Sequence, residues 1–143
     1  MATATLVISS KNYSSWSLRG WLMTRMSGLE FEERVVPIDD PANLKAHRPG
    51  FKIWSGAQAD IERITTIWRE CLSPGGGPYL FGRLGMADAM YAPVVTRFHT
   101  YDVPFDAVCA AYGRRIMALP DMIAWIEAAR AEPDALEDLE VEF

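Results

Sequence analysis

The hydrophobic positions change their period along the chain. Leu6, Val7 and Ile8 form an unbroken apolar run, which predicts a short strand over residues 5–9, buried on both faces. From about Ser15 the period becomes helical. Leu18, Trp21, Leu22, Met26 and Leu29 share one stripe, and Gly28 suits the left-handed residue that ends a helix. Phe31, Val35, Val36 and Ile38 then favour extended backbone over residues 30–38. A strand, a helix and a strand of these lengths imply a parallel pair with a right-handed crossover. Asp39-Asp40-Pro41 predicts the start of a short helix reaching about His47, and Pro49-Gly50 stops it. Phe51-Lys52-Ile53-Trp54 has the pattern of a third strand's beginning, and no strand pattern follows it, although a stable sheet usually needs three or more strands.

From Ser55 onward the pattern is helical. Ala57, Ile61, Ile64, Ile67, Trp68, Cys71 and Leu72 recur on one face with charges between them, and Ser73-Pro74-Gly75-Gly76-Gly77-Pro78 breaks the run as a loop. Tyr79-Leu80-Phe81-Gly82 predicts a short extended piece. A helix then starts at Gly85-Met86-Ala87-Asp88, where Asp88 stands to reach back to the cap N–H while glycine supplies no side-chain acceptor. Pro93 inside this helix removes a backbone bond and predicts a kink. Asp102-Val103-Pro104 predicts another helix with Phe105, Val108, Cys109, Tyr112, Ile116 and Leu119 on one face. Pro120 starts the last helix, with Met122, Ile123, Ile126 and Ala129 inward, and Glu132-Pro133 ends it before an acidic tail.

Composition fits one domain or two small ones: at 143 residues the chain can bury roughly 70% of its unfolded surface. The net charge of -5 and the lack of a basic cluster argue against a nucleic-acid surface. No apolar run approaches a membrane span, and Met1-Ala2-Thr3-Ala4 lacks the basic and apolar regions of a signal peptide. Cys71 and Cys109 sit in helical patterns and read as buried free thiols of a reducing compartment, so a cytoplasmic protein is expected.

Candidate chemistry concentrates in Asn12-Tyr13-Ser14-Ser15-Trp16-Ser17, the junction between the first strand and first helix. A serine here ordinarily caps the helix. A neighbouring hydroxyl could instead donate to a bound thiolate, favouring ionised sulfur together with the positive end of the helix. A serine-hydrolase reading fails for want of Gly-x-Ser-x-Gly and a histidine partner. His47 and His99 read as surface groups or as supports behind a site, and with the two cysteines they show no metal-ligand spacing. Gly75-Gly76-Gly77 lacks the Lys-Ser/Thr of a phosphate loop. Trp16, Trp21, Trp54, Trp68 and Trp125 read as core, and Arg19 and Arg25 as solvated or paired across elements.

The segment Lys11-Asn12-Tyr13-Ser14-Ser15-Trp16-Ser17-Leu18-Arg19 resembles the opening of the bacterial soluble glutathione S-transferases that use serine, and the Ser-Ser-Cys turn of the zeta class. Gly82-Arg83-Leu84-Gly85-Met86-Ala87-Asp88-Ala89-Met90-Tyr91-Ala92-Pro93-Val94 resembles the cap and buried helix of that family's C-terminal domain. The resemblance implies an α/β remnant of a thioredoxin-like fold, β-α-β-α, over residues 1–54, followed by an all-α domain over 55–143, predominantly helical overall. It also implies an internal deletion on the order of 70–80 residues, about half a typical domain or more. The family's cis-proline strand and Glu-Ser pair, which hold glutathione, have no match here, and its N-cap Ser/Thr is Gly85.

By the same resemblance Ser14 and Ser15 are the catalytic candidates, and Ser14, Ser17 and Ile53 the glutathione-binding ones, with no metal. Glutathione is then the cosubstrate, its thiolate attacking a small electrophile in a cleft facing the helical domain, in a homodimer. The alternatives are a non-catalytic, shortened family member that works by dimerisation or partner binding through an uncovered sheet, and a deletion product with little selected function.

Overall fold

The computed structural model describes residues 4–12, 14–36, 55–72 and 77–132. Strand β1 covers Ala4–Ile8, helix α1 Ser15–Met26 and strand β2 Phe31–Val35. Among the described residues four further helices follow: α2 over Ser55–Leu72, α3 over Met86–Thr100, α4 over Ala107–Met117 and α5 over Pro120–Ala131. Among the described residues a two-stranded sheet thus precedes a set of helices, in line with the α/β remnant and helical domain that the resemblance implies. The expected helix over 41–47, the third strand with Ile53, His47, Trp54 and the acidic tail lie outside the described residues.

The described residues gather into two compact units. The first holds β1, β2, α1 and α5. β1 and β2 pair in parallel from Ala4 opposite Phe31 to Ile8 opposite Val35, and Val36 N–H extends the ladder to the Ile8 carbonyl at 2.7 Å. Leu18 and Leu22 of α1 are fully buried and Trp21 nearly so, the first part of the expected stripe; Leu29, also expected on it, lies past the helix end and is 46% exposed. Gly28 takes the left-handed conformation, φ 74°, and turns the chain from α1 towards β2. On α5 the buried face is Met122, Trp125 and Ala129. The Trp21 and Trp125 rings lie 5.3 Å apart at 57°, a tilted pair worth about 1 kcal/mol beyond its area. Arg25 ties the two helices at the surface through Asp121, Nε to Oδ1 3.0 Å.

The second unit holds α2, α3 and α4. Its centre is Trp68, fully buried, with the rings of Tyr112 at 5.0 Å, Phe98 at 5.5 Å, Tyr91 at 5.7 Å and Phe105 at 6.5 Å. The α2 stripe is as expected, with Ile61 and Trp68 buried and Glu62, Arg63, Arg69 and Glu70 exposed. Gly85 caps α3, and its N–H donates to Asp88 Oδ2 at 2.8 Å, the half of the capping box that glycine permits. The helix continues through buried Pro93 to Thr100.

Several expectations are corrected. β1 alternates, with Val7 60% exposed, so it is not buried on both faces. Trp16 is 69% exposed, on the side of α1 away from the Leu18–Trp21–Leu22 stripe. Residues 79–82 form a turn: Phe81 has φ 60°, and Gly82 N–H closes on the Tyr79 carbonyl at 2.9 Å. α4 begins at Ala107 rather than near Pro104, because Asp106 supplies the cap, accepting from Val108 and Cys109 N–H at 2.9 and 3.0 Å. Val108 and Ile123 face outward, at 53% and 45% exposure. Cys109 is buried, and Cys71 is only half-buried.

Candidate functional site

The β1–α1 junction folds as a tight turn. Ser14 N–H donates to the Ser10 carbonyl at 3.1 Å, and the Ser14 carbonyl receives Leu18 N–H at 3.2 Å. Ser14 is the N-cap of α1, with φ -102° and ψ 103°, and its hydroxyl oxygen accepts from Ser17 N–H at 3.1 Å. The capping role expected of a serine here is therefore filled by Ser14. The first turn of α1 carries no acidic residue, so its positive end is not offset by a side chain of its own.

The three serines diverge in role. Ser17 Oγ accepts from Ser9 N–H at 2.8 Å and so ties the first turn of the helix to the end of the strand. Ser15 is the first helical residue and half-buried. Ser14 is 7% exposed, and its hydroxyl oxygen uses one lone pair on Ser17, while its own proton meets no acceptor among the described residues. Of the three, Ser14 thus combines a fixed oxygen with an available donor, at the helix end where negative charge is favoured. Trp16 stands beside it on the exposed side, with the Arg19 guanidinium 4.8 Å from its ring.

The turn is held from outside its own sequence. Glu132, immediately after α5, accepts from Lys11 N–H on Oε1 at 2.7 Å, and on Oε2 from Ser10 Oγ at 2.6 Å and Asn12 N–H at 3.1 Å. Trp125 Nε1 donates to the Lys11 carbonyl at 3.1 Å. Lys11 Nζ forms an ion pair with Glu33 of β2, and Glu33 also accepts from Trp21 Nε1 at 2.9 Å. Sequence reasoning gave Glu132 and Trp125 no site role. A local pattern carries no signal for contacts across more than 110 residues.

Two groups elsewhere, Cys109 and Tyr112, are held protonated. Burial, then a hydrogen bond and the charge of Asp106, push the Cys109 thiol up to about 11. Burial and then the Asp88 charge push the Tyr112 phenol well above its usual range. His99 is exposed. Among the described residues no group of three His, Cys, Asp or Glu side chains is placed to hold a metal ion, and no helix is long and apolar enough to cross a membrane.

The family model of the glutathione S-transferase C-terminal domain matches residues 41–128. Among solved structures, a glutathione transferase homologue from Burkholderia gl BGR1, crystallised with bound glutathione, superposes with a TM-score of 0.65 at 14% identity. The match covers 90% of this chain and 98% of that one. At that identity the likeness speaks to the fold alone. No curated protein matches the sequence.

Proposed function

The chain belongs to the glutathione S-transferase C-terminal domain family, and from that premise we propose that it is a glutathione transferase whose thiolate-stabilising group is Ser14. The observation that carries this reading is the state of the Ser14 hydroxyl. Its oxygen is fixed by the Ser17 N–H, and its proton, with no acceptor among the described residues, is left to donate at the positive end of α1. A donor held in that place favours the ionised form of a thiol brought to it. In the reaction the glutathione sulfur gives up its proton to solvent and attacks an electrophilic carbon. A C–S bond forms, and the leaving group departs with its bonding pair. Ser14 stabilises the sulfur anion before attack, Ser17 supports the turn, and Ser15 flanks it as the weaker catalytic candidate. Ile53 would give backbone bonds to the peptide.

On this reading residues 1–54 are a glutathione-binding region shortened by an internal deletion, and 55–143 are the helical domain. The free thiols Cys71 and Cys109 suit a reducing cytoplasm. A second reading has a specific observation behind it. Val7, Val35 and Val36, at 60%, 46% and 40% exposure, leave apolar surface on the two-stranded sheet, which favours a homodimer or a partner with or without catalysis.

The test is turnover of a halonitroarene with glutathione by the full chain and by Ser14→Ala. We expect kcat/KM to fall by about 100- to 1,000-fold in the variant with an unchanged circular dichroism spectrum, the usual effect of removing one stabilising donor. Equal turnover by the variant would overturn the role of Ser14. A folded protein that does not bind glutathione would leave the association reading, which sizing in solution then decides.

A further inference from the structure

We propose that Glu132 is a positioning residue for Ser14, a carboxylate that holds the β1–α1 turn in the conformation presenting the Ser14 hydroxyl. The inference rests on the transferase reading of Ser14, and its geometry is independent of that reading.

Glu132 stands where a helix disfavours it. It follows the last residue of α5, at the negative end of the helix, where a cation is the favoured charge. Its own N–H completes the helix end on the Ala129 carbonyl at 3.3 Å. Helix chemistry therefore gives no reason for a carboxylate there. The turn does give one. Two successive backbone N–H groups, of Lys11 and Asn12, and the Ser10 hydroxyl converge on it at 2.7, 3.1 and 2.6 Å, one oxygen taking Lys11 and the other taking Ser10 and Asn12. Consecutive N–H groups pointing at one anion form a nest, and this nest is filled by the chain's own carboxylate. Charge-assisted bonds of this kind are the strong class.

The connection to Ser14 is short. The Ser10 side chain is held by Glu132, and the Ser10 carbonyl receives the Ser14 N–H at 3.1 Å. Ser10 Oγ also accepts from Asn12 N–H at 3.1 Å, closing the turn on itself. Lys11 is held from the other side, by Trp125 Nε1 on its carbonyl and by Glu33 on its ammonium. Asn12, between Lys11 and the serines, is fully buried. The direction of the Ser14 hydroxyl is thus set partly by a residue 118 positions later. Docking of α5 and stabilisation of the thiolate become one linked property.

The experiment compares the full chain with Glu132→Ala, Glu132→Gln and Ser10→Ala, by amide hydrogen exchange at Lys11, Asn12 and Ser14 and by titration of bound glutathione's thiol. In Glu132→Ala the Lys11 and Asn12 amides should exchange about 10- to 100-fold faster, the loss expected of hydrogen bonds to a charge. The Ser14 amide should follow, and the thiol should titrate upward by about one pH unit, a tenfold loss of thiolate. Acetate should restore slow exchange in this variant by entering the vacated nest. Glu132→Gln should fall between, since one oxygen remains to accept. Should Glu132→Ala not fold, Ser10→Ala, which removes one donor, should speed Asn12 and Ser14 exchange and spare Lys11. Unchanged exchange at Ser14, or an unchanged thiol titration, overturns the proposal. Absence of glutathione binding by the wild type overturns the transferase reading alone, and the Ser14 amide then decides for or against Glu132.

Discussion

The Tyr112 hydroxyl donates to Asp88 Oδ1 at 3.1 Å and shares that oxygen with the Leu80 N–H, also at 3.1 Å, while Asp88 Oδ2 takes the Gly85 N–H at 2.8 Å. Asp88 is 1% exposed. One carboxylate therefore joins α3, α4 and the turn that precedes α3. Burial and the Asp88 charge keep the phenol protonated, so it remains a donor throughout the working pH range. Asp88→Ala leaves two buried donors and one half-buried donor without their acceptor and should cost about 3 kcal/mol, whereas Tyr112→Phe removes one bond and should cost about 1 kcal/mol. Urea denaturation of the three proteins checks the ratio.

Gly85 leaves the other half of the cap unmade. Its φ of -157° is extended backbone, and a Cβ there would have its nearest contact at 3.7 Å, on the Arg83 carbonyl. Gly85→Ser should fit and place an acceptor near the Asp88 N–H. The gain should be a few tenths of a kcal/mol, the usual difference between serine and glycine at this position. Thermal unfolding should show a small rise in Tm. A fall would mean that the turn before α3 cannot take a side chain.

Asp106 makes stability depend on acid pH. Hydrogen bonds, first from the Cys109 N–H, hold its carboxyl below the ordinary 3.8, with the Arg69 guanidinium at 2.7 Å adding to them. A carboxyl whose pKa is lowered on folding adds stability above its unfolded value and loses it as pH falls through the folded one. The Tm difference between wild type and Asp106→Asn should be constant above about pH 5 and shrink as pH falls below 3.8. A difference that persists at lower pH would mean that shape, not charge, sets the contribution.

Much of the fold is legible in the residues, and the failures share a cause. Leu18, Trp21 and Leu22 mark the buried side of α1 because no other stripe fits that helix, and Gly28 marks its end. On α5 two overlapping stripes satisfy the helical period. Ile123 and Ile126 fit one, but Trp125 reaches Lys11 and Trp21, and those distant partners select the stripe that is buried. The residues alone point to a start of α4 at Asp102-Val103-Pro104, and the structure moves it to Asp106. Asp106 caps it, and Arg69 of α2, 37 residues earlier, pairs with it. Ser14 as a cap is local chemistry and legible. The Glu132 clamp on the same turn is tertiary and is not.

The two thiols should differ in reactivity. Cys109 is fully buried, its Sγ donates to the Thr65 carbonyl at 3.5 Å, and burial first, then Asp106, pushes it up to about 11, so at pH 8 it carries little thiolate. Cys71 is half-buried. A disulfide reagent at pH 8 should titrate Cys71 alone in the folded protein and both thiols in denaturant. Rapid native labelling of Cys109 would show that α2 and α4 open readily there.

Proton release on glutathione binding tests the role of Ser14 most directly. Calorimetric titration with glutathione at neutral pH, in buffers of different ionisation enthalpy, counts the protons lost as the thiol meets the turn. Wild type should release a large fraction of a proton per bound glutathione, and Ser14→Ala should bind and release little. Equal release from the two proteins, or binding by wild type with no release, would contradict a thiolate held by Ser14.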